Sequence, residues 1–283
     1  MENKIINFHL YRYHLLPIDK TIKQLEVFPR EEYTYEQVKE NKNKFFALIL
    51  NNLIKNKENT HPLKLEHSEG NYFLFKIAQI KNTTITQNFK NKNVLNEPYC
   101  YVIFNNDDSV QKIAISDNSE AFSKPDTVKN ILKKVFRRDL EKYGLNIEIE
   151  QMFNSIDFWD YVKKYDEQIT FINFKFIKPN LANISKSLPE DFKDFADNVN
   201  SHESHIAIKA PEKGTLVNIT QENLSVNGLV EYSANGAGSI KMKVKNIRKQ
   251  LDTKEKPLTL EIRELDIEGS AEQVIKLYKT IVE

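Results

Sequence analysis

Cysteine is nearly absent: Cys100 stands alone in 283 residues. A single thiol excludes an intrachain disulfide framework and a cysteine-built zinc site. Free cysteine is commonly buried, so Cys100 reads as a small apolar residue of a strand over 99–104. Glycine is scarce as well, with seven residues in all. These form no Gly-x4-Gly-Lys-Ser/Thr loop, no Gly-x-Gly-x-x-Gly opening a helix and no Gly-x-Ser-x-Gly elbow, which argues against P-loop hydrolysis, a dinucleotide fingerprint and a serine-hydrolase nucleophile. Long apolar runs are missing too. The longest, 45–50 and 171–177, suit a core and fall far short of a bilayer span. The first residues, MENKIINFHLYRYHLL, lack the basic, apolar and small-residue order of a signal peptide, so the cytoplasm is the expected location. An excess of one charge is also lacking. Lys+Arg is 41 and Asp+Glu is 40, giving a net charge of +1. A uniformly cationic protein is excluded, and any nucleic-acid surface must be a local patch.

What is present is ample core material, with 17 Phe and 12 Tyr, and this excludes global disorder. The length suits two domains. An alternating apolar pattern predicts a strand over 4–15 and helical spacing predicts a helix over 36–55. Short strands follow over 63–67, 71–80, 83–89, 98–104 and 110–116, with turn residues between them. That succession is an antiparallel meander rather than alternating βαβ units. Ser123 or Asp126 as cap, Pro125 in the first turn and Gly144 as stop frame a helix over 126–143. Further strands are expected over 146–150, 169–177, 204–210, 239–244 and 258–265, and helices over 157–165, 189–200, 220–233 and 270–282. The fold class is therefore α+β, with an N-terminal domain over 1–166 and a smaller mixed C-terminal domain over 167–283.

Two basic constellations stand out. On the helix over 126–143, an apolar stripe from Val128 to Leu140 leaves Lys129, Lys133, Lys134, Arg137 and Arg138 as a cationic row. Cations from Lys124 to Lys142 outnumber acids by more than two to one. Such a row, rising about 1.5 Å per residue, can track a phosphate backbone, although lysine also covers many solvated helix faces. The second follows Gly236-Ala-Gly238. On a strand over 239–245, Ile240, Met242 and Val244 share one face and Lys241, Lys243 and Lys245 the other, with Arg248 and Lys249 beyond. Alternate strand residues lie roughly 6–7 Å apart, close to the spacing of phosphates along one strand. The glycines before the ladder could let it swing or bring backbone N–H groups to a phosphate. The competing explanation is a lysine-guarded edge strand.

Histidines and carboxylates carry weaker signals. His202 and His205 are three apart but fall where the chain reads as extended, which suits a metal poorly. Glu148 with Glu150, and Glu261 with Arg263, share strand faces. Asp252 with Glu261 and Arg263 only approximates the carboxylate-and-lysine set of a divalent-metal nuclease, with Arg in place of Lys, and charges on a wet strand face explain these pairs more simply. No catalytic residue, metal ligand or cofactor is assigned.

Several segments resemble the RexA-like phage-exclusion proteins of prophages and defence islands: the helix end Phe46-Ala-Leu-Ile-Leu-Asn-Asn-Leu53, the hairpin strand Asn71-Tyr-Phe-Leu-Phe-Lys-Ile77, the strand before Phe104, the strand over 170–177, and His205-Ile-Ala-Ile-Lys-Ala-Pro211. These are spread over residues 46–211. The resemblance implies a two-domain, homodimeric protein that binds DNA with little sequence preference and acts with a membrane protein encoded nearby. It carries no residue over one by one, so the basic candidates rest on charge geography alone. The expectation is a non-enzymatic, sequence-nonspecific DNA-binding protein of antiphage defence or prophage exclusion. A metal-dependent nuclease and a protein-interaction scaffold sensing a phage protein are the alternatives.

Overall fold

The computed structural model describes residues 4–18, 33–53, 60–178, 180–267, 276–277 and 279–280. The chain opens with β1 (Ile5–Pro17) and α1 (Tyr35–Asn52), then runs through β2 (Leu63–Glu69), β3 (Tyr72–Ala78), β4 (Lys81–Gln87), β5 (Lys90–Asn96), β6 (Tyr99–Asn105) and β7 (Lys112–Ser116). It continues with α2 (Pro125–Leu140), β8 (Leu145–Gln151), α3 (Ser155–Lys164) and β9 (Ile169–Ile177). The remainder comprises α4 (Ala182–Ser185), α5 (Glu190–Asn198), β10 (Glu203–Lys209), α6 (Leu224–Tyr232), β11 (Gly238–Val244), β12 (Leu251–Asp252), β13 (Thr259–Arg263) and α7 (Glu264–Ile267). All strand pairings among the described residues are antiparallel, and with the helices packed on them they make an α+β fold. The helix expected over 270–282 lies largely outside the described residues. No helix among the described residues is long and apolar enough to cross a membrane.

β1 organises the first sheet, ordered β13-β1-β7-β6-β3-β2 with β8 also on β1. Phe8–Arg12 pair with β7 along one edge. The other edge is shared end to end, Ile5–His9 with β13 and Tyr11–Pro17 with β8. At the junction Leu10 accepts from the Met152 amide and donates to the Leu258 carbonyl, both at 2.9 Å. Strand alternation sends Tyr11, Tyr13 and Leu15 to one face, where they meet α1 and α2. Tyr13, Phe46, Phe104 and Phe136 pack there with centroids 5.0–6.4 Å apart and mostly edge-on, the arrangement aromatic quadrupoles favour. Ile6, Phe8 and Leu10 face the other way into a second apolar cluster with Ile103, Met152 and Ile262.

α2 begins at Lys124 without a side-chain cap, with Pro125 in its first turn. Neither expected cap residue serves, because Asp126 is used elsewhere: it accepts from the Tyr11 hydroxyl at 3.1 Å and pairs with Lys129 at 3.2 Å. Gly144, at φ +66°, ends the following 3-10 turn as expected.

The second sheet is ordered β10-β9-β11-β12. Phe174, Phe176, Ile240 and Met242 on its inner face pack with α3 and α6. α3 therefore belongs with the second core, although it precedes the expected boundary at 166. The last strand behaves in the opposite way. β13 returns from the C-terminal half to pair with β1, so the second half is not closed on itself.

The Gly236-Ala-Gly238 segment joins α6 to β11 through a π-turn, Ser233–Ala237. A Cβ on Gly236 (φ +79°) would lie 2.6 Å from the Arg12 Cβ, and one on Gly238 would lie 2.0 Å from the Lys175 carbonyl oxygen. The segment is wedged against β1 and β9, so it acts as a close-packing device rather than the swivel or phosphate loop the sequence suggested. Gly236→Ala is expected to destabilise the protein by about 2–4 kcal/mol, through backbone strain and overpacking together. A shift of the urea midpoint checks this.

Candidate nucleic-acid interface

The basic row on α2 is built on amphipathic packing. Val128, Leu132, Phe136 and Leu140 are buried against the first sheet, which turns the cations towards its rim. There most of them find carboxylates. Lys129 is buried, pairs with Asp126 and lies 5.9 Å from the centre of the Tyr11 ring. Lys133 and Arg137 both reach past the free edge of β8 to the buried Glu148. Arg137 also donates to the Ile147 carbonyl at 3.3 Å. Arg138 contacts Asp139 at 3.4 Å. Lys134 stays exposed. The row thus exists, but Lys133 and Arg137 are engaged in holding α2 on β8, and Lys129 is taken up by Asp126 beside the Tyr11 ring of β1.

The neighbouring carboxylate is held in a similar way. Glu150 is buried between Lys175 at 2.8 Å and Lys254 at 3.0 Å. Lys175 also meets Glu203 at 2.8 Å. Burial pushes the Glu150 carboxyl up, but the attraction of Lys254 and Lys175 outweighs it and holds the group at about 2 against an ordinary 4.5. The wet strand face expected for Glu148 and Glu150 is instead the seam between the two sheets. Arg12 and His14 of β1 stand across from Glu150 and Glu148 in the strand register. The Arg12 guanidinium donates to the Asn235 carbonyl at 2.6 Å, and burial lowers its pKa to about 10. His14 has its ring nitrogens 2.7 Å from the Asn180 side-chain oxygen and 2.9 Å from the Gly236 carbonyl, and burial lowers its pKa below 6.5.

The second ladder alternates as expected. Ile240, Met242 and Val244 are buried while Lys241, Lys243 and Lys245 are exposed. β11 is flanked by β9 along its length and by β12 at Lys241 and Met242 only. Lys241 lies 3.6 Å from Asp252, Lys245 donates to the Lys213 carbonyl at 3.2 Å, and Lys249 pairs with Glu255 at 2.8 Å. Arg248 is exposed.

The structure places beside Lys243 two residues that the sequence pattern does not bring to this site, Lys209 and Phe171. Lys209 of β10, Phe171 of β9 and Lys243 of β11 share one row across the outer face of the sheet. Both lysines are exposed, and the Lys243 ammonium sits 5.6 Å from the centre of the half-buried Phe171 ring. Strand spacing puts Lys209 and Lys243 roughly 10 Å apart, on either side of the ring. Lys213 is exposed nearby, its carbonyl bound by Lys245. The acids of this face lie in other rows, where Asp252 meets Lys241 and Glu203 meets Lys175 and His205. The apolar-polar alternation of the strand over 169–177 was visible in the sequence. Its partners were not, because register is set by long-range pairing.

Among the described residues no three His, Cys, Asp or Glu side chains lie together as a metal site. His202 faces the Pro17 carbonyl at 2.9 Å and His205 faces Glu203 at 2.9 Å, so the two serve separate contacts. Cys100 is buried in β6, and burial raises its pKa to about 12, leaving a thiol without nucleophilic character. No family model and no curated protein matches this chain.

The Glu150 cluster carries a pH signature. A carboxyl lowered in the folded state contributes its stability above pH 4.5 and loses it as pH falls from 4.5 towards 2. Glu150→Gln leaves Lys254 and Lys175 facing an uncharged amide. It should cost about 3 kcal/mol at pH 7 and flatten the acid limb of the stability profile. Urea unfolding between pH 3 and pH 7 reads both effects.

Proposed function

We propose that this protein binds DNA without sequence preference, through the outer face of its second sheet. The observation carrying this reading is the row Lys209–Phe171–Lys243, extended along β11 by Lys241 and Lys245 and beyond it by Arg248. Exposed ammonium groups on a rigid sheet neutralise phosphates and release counterions, while an aromatic ring between them can take a stacked base. The α2 row contributes less, since Glu148 and Asp126 already offset much of its charge. Contacts of this kind position a protein on nucleic acid but read no bases.

The resemblance to RexA-like proteins extends the proposal. It adds a role in antiphage defence or prophage exclusion, a cytoplasmic homodimer as the acting form, and a membrane-protein partner encoded nearby. A second reading has one observation in its favour. On the acidic helix α5 and at its C-cap, Phe195 and Val199 are exposed at 64% and 55% on an element that also carries Glu190, Asp191 and Asp194, which suits a protein partner.

Titration of a labelled duplex of arbitrary sequence at several salt concentrations tests the DNA reading. Affinity should fall log-linearly with salt. The double variant Lys209→Glu, Lys243→Glu should lower the slope by about 2 and weaken binding on every sequence alike. An unchanged slope would move the surface elsewhere. An absence of binding at low salt would leave the protein-partner reading.

A further inference from the structure

The packed cores leave one element unexplained. β4 and β5 pair with each other and, among the described residues, with no other strand. They prolong the β3–β6 pair beyond the first sheet, with the Gln79 amide bound to the Pro98 carbonyl at the base. Every residue from 82 to 93 is exposed. Seven residues per strand make a shaft roughly 23 Å long. A lone two-stranded ribbon is marginal in water, and this one buries neither face.

Its tip breaks a local rule. Asn88 and Phe89 form a two-residue turn with φ of +53° and +61°. That left-handed pair is normally filled by Asn-Gly, because a Cβ is unfavourable there. Here the second position holds a phenylalanine that is 103% exposed. Neither the turn nor any packing rewards that ring, and strain kept at an exposed position points to use.

The shaft has a consistent chemistry. Residues 81–96 include Lys81, Lys90 and Lys92 and no acid. On one face Thr84 bonds Asn93 at 2.8 Å and Thr86 bonds Asn91 at 3.0 Å, forming an amide-and-hydroxyl ladder. The other face sets Ile85 beside Lys92 and Gln87 beside Lys90. Cations without acids suit a polyanion, and the amides add donors and acceptors. A two-stranded ribbon fits a duplex groove, and an apolar tip can wedge between base steps.

We propose that the β4–β5 ribbon is a duplex-gripping arm whose shaft lies along a groove and whose Phe89 inserts between base pairs. This rests on the DNA-binding reading above but uses a separate surface. The sequence pattern showed only its first strand. The second, Asn-rich and short of apolar residues, carries little strand propensity.

The test uses the full chain and a short duplex carrying 2-aminopurine at several positions. Wild-type protein should bind and raise the fluorescence as bases unstack. Phe89→Ala, a change at a fully exposed site, should abolish the rise and weaken binding roughly tenfold. Phe89→Trp should retain both, and Lys90→Glu with Lys92→Glu should lower the salt slope by about 2. If Phe89→Ala matches wild type in affinity and fluorescence, the arm is overturned while sheet-face binding stands. If wild type binds no duplex at low salt, the DNA reading falls and the arm with it. Phe89-dependent binding to phosphatidylserine vesicles, with duplex binding unaffected by the substitution, would overturn the arm in favour of a lipid surface.

Discussion

Strand β1 and the polar row on one of its faces are what the rest of the molecule depends on. One face carries Tyr11, Tyr13 and Leu15 into an aromatic core. The opposite face begins apolar, with Ile6, Phe8 and Leu10, and then changes to Arg12 and His14, both buried. The change coincides with the arrival of the second sheet. Arg12 and His14 bind the carbonyls of Asn235 and Gly236 in the π-turn, while Glu150 on the adjoining strand draws Lys175 and Lys254 from the other half. Buried charge is expensive unless every group is paired or hydrogen-bonded. This seam therefore accepts few relative orientations of the two sheets, and hydrophobic contact alone would be more permissive.

That constraint shapes the electrostatics of the surface. In a simple tally of charge the cations of α2 outnumber the acids of β8. In space much of that excess is offset locally, because Glu148 sits under Lys133 and Arg137 and Asp126 beside Lys129. On the outer face of the second sheet the acids are placed in rows apart from Lys209 and Lys243. A chain of net charge +1 can thereby present a cationic strip, since a surface field follows local arrangement more than the sum. The rigid setting of that strip also follows from the seam, because Gly238 opens β11 pressed against the Lys175 carbonyl.

Much of the fold was legible locally. The period-2 patterns of residues 169–177 and 239–244 appear as β9 and β11, and Pro125 with Gly144 brackets α2 and its 3-10 extension. Long-range relations were less legible. Nothing in Thr259–Arg263 shows that it pairs with β1, nor in Ser155–Lys164 that it packs on the second core. At the candidate site, the lysine alternation on β11 could be read from spacing alone. The engagement of Lys129, Lys133 and Arg137 could not, because by local pattern Asp126 is a helix cap and Glu148 a solvated strand charge, and only tertiary packing brings them to these cations. The cross-strand row through Phe171 needed a register that only tertiary pairing defines.

The central claim is that the outer sheet face, rather than the helix row, meets the nucleic acid. Lysine footprinting addresses it most directly, comparing acetylation of each lysine with and without an arbitrary duplex at low salt. The account predicts protection of Lys209, Lys241, Lys243 and Lys245, with the exposed Lys39 and Lys44 of α1 reacting as in free protein. Protection confined to Lys134 and Lys142 of the α2 region, or an unchanged pattern throughout, would contradict it.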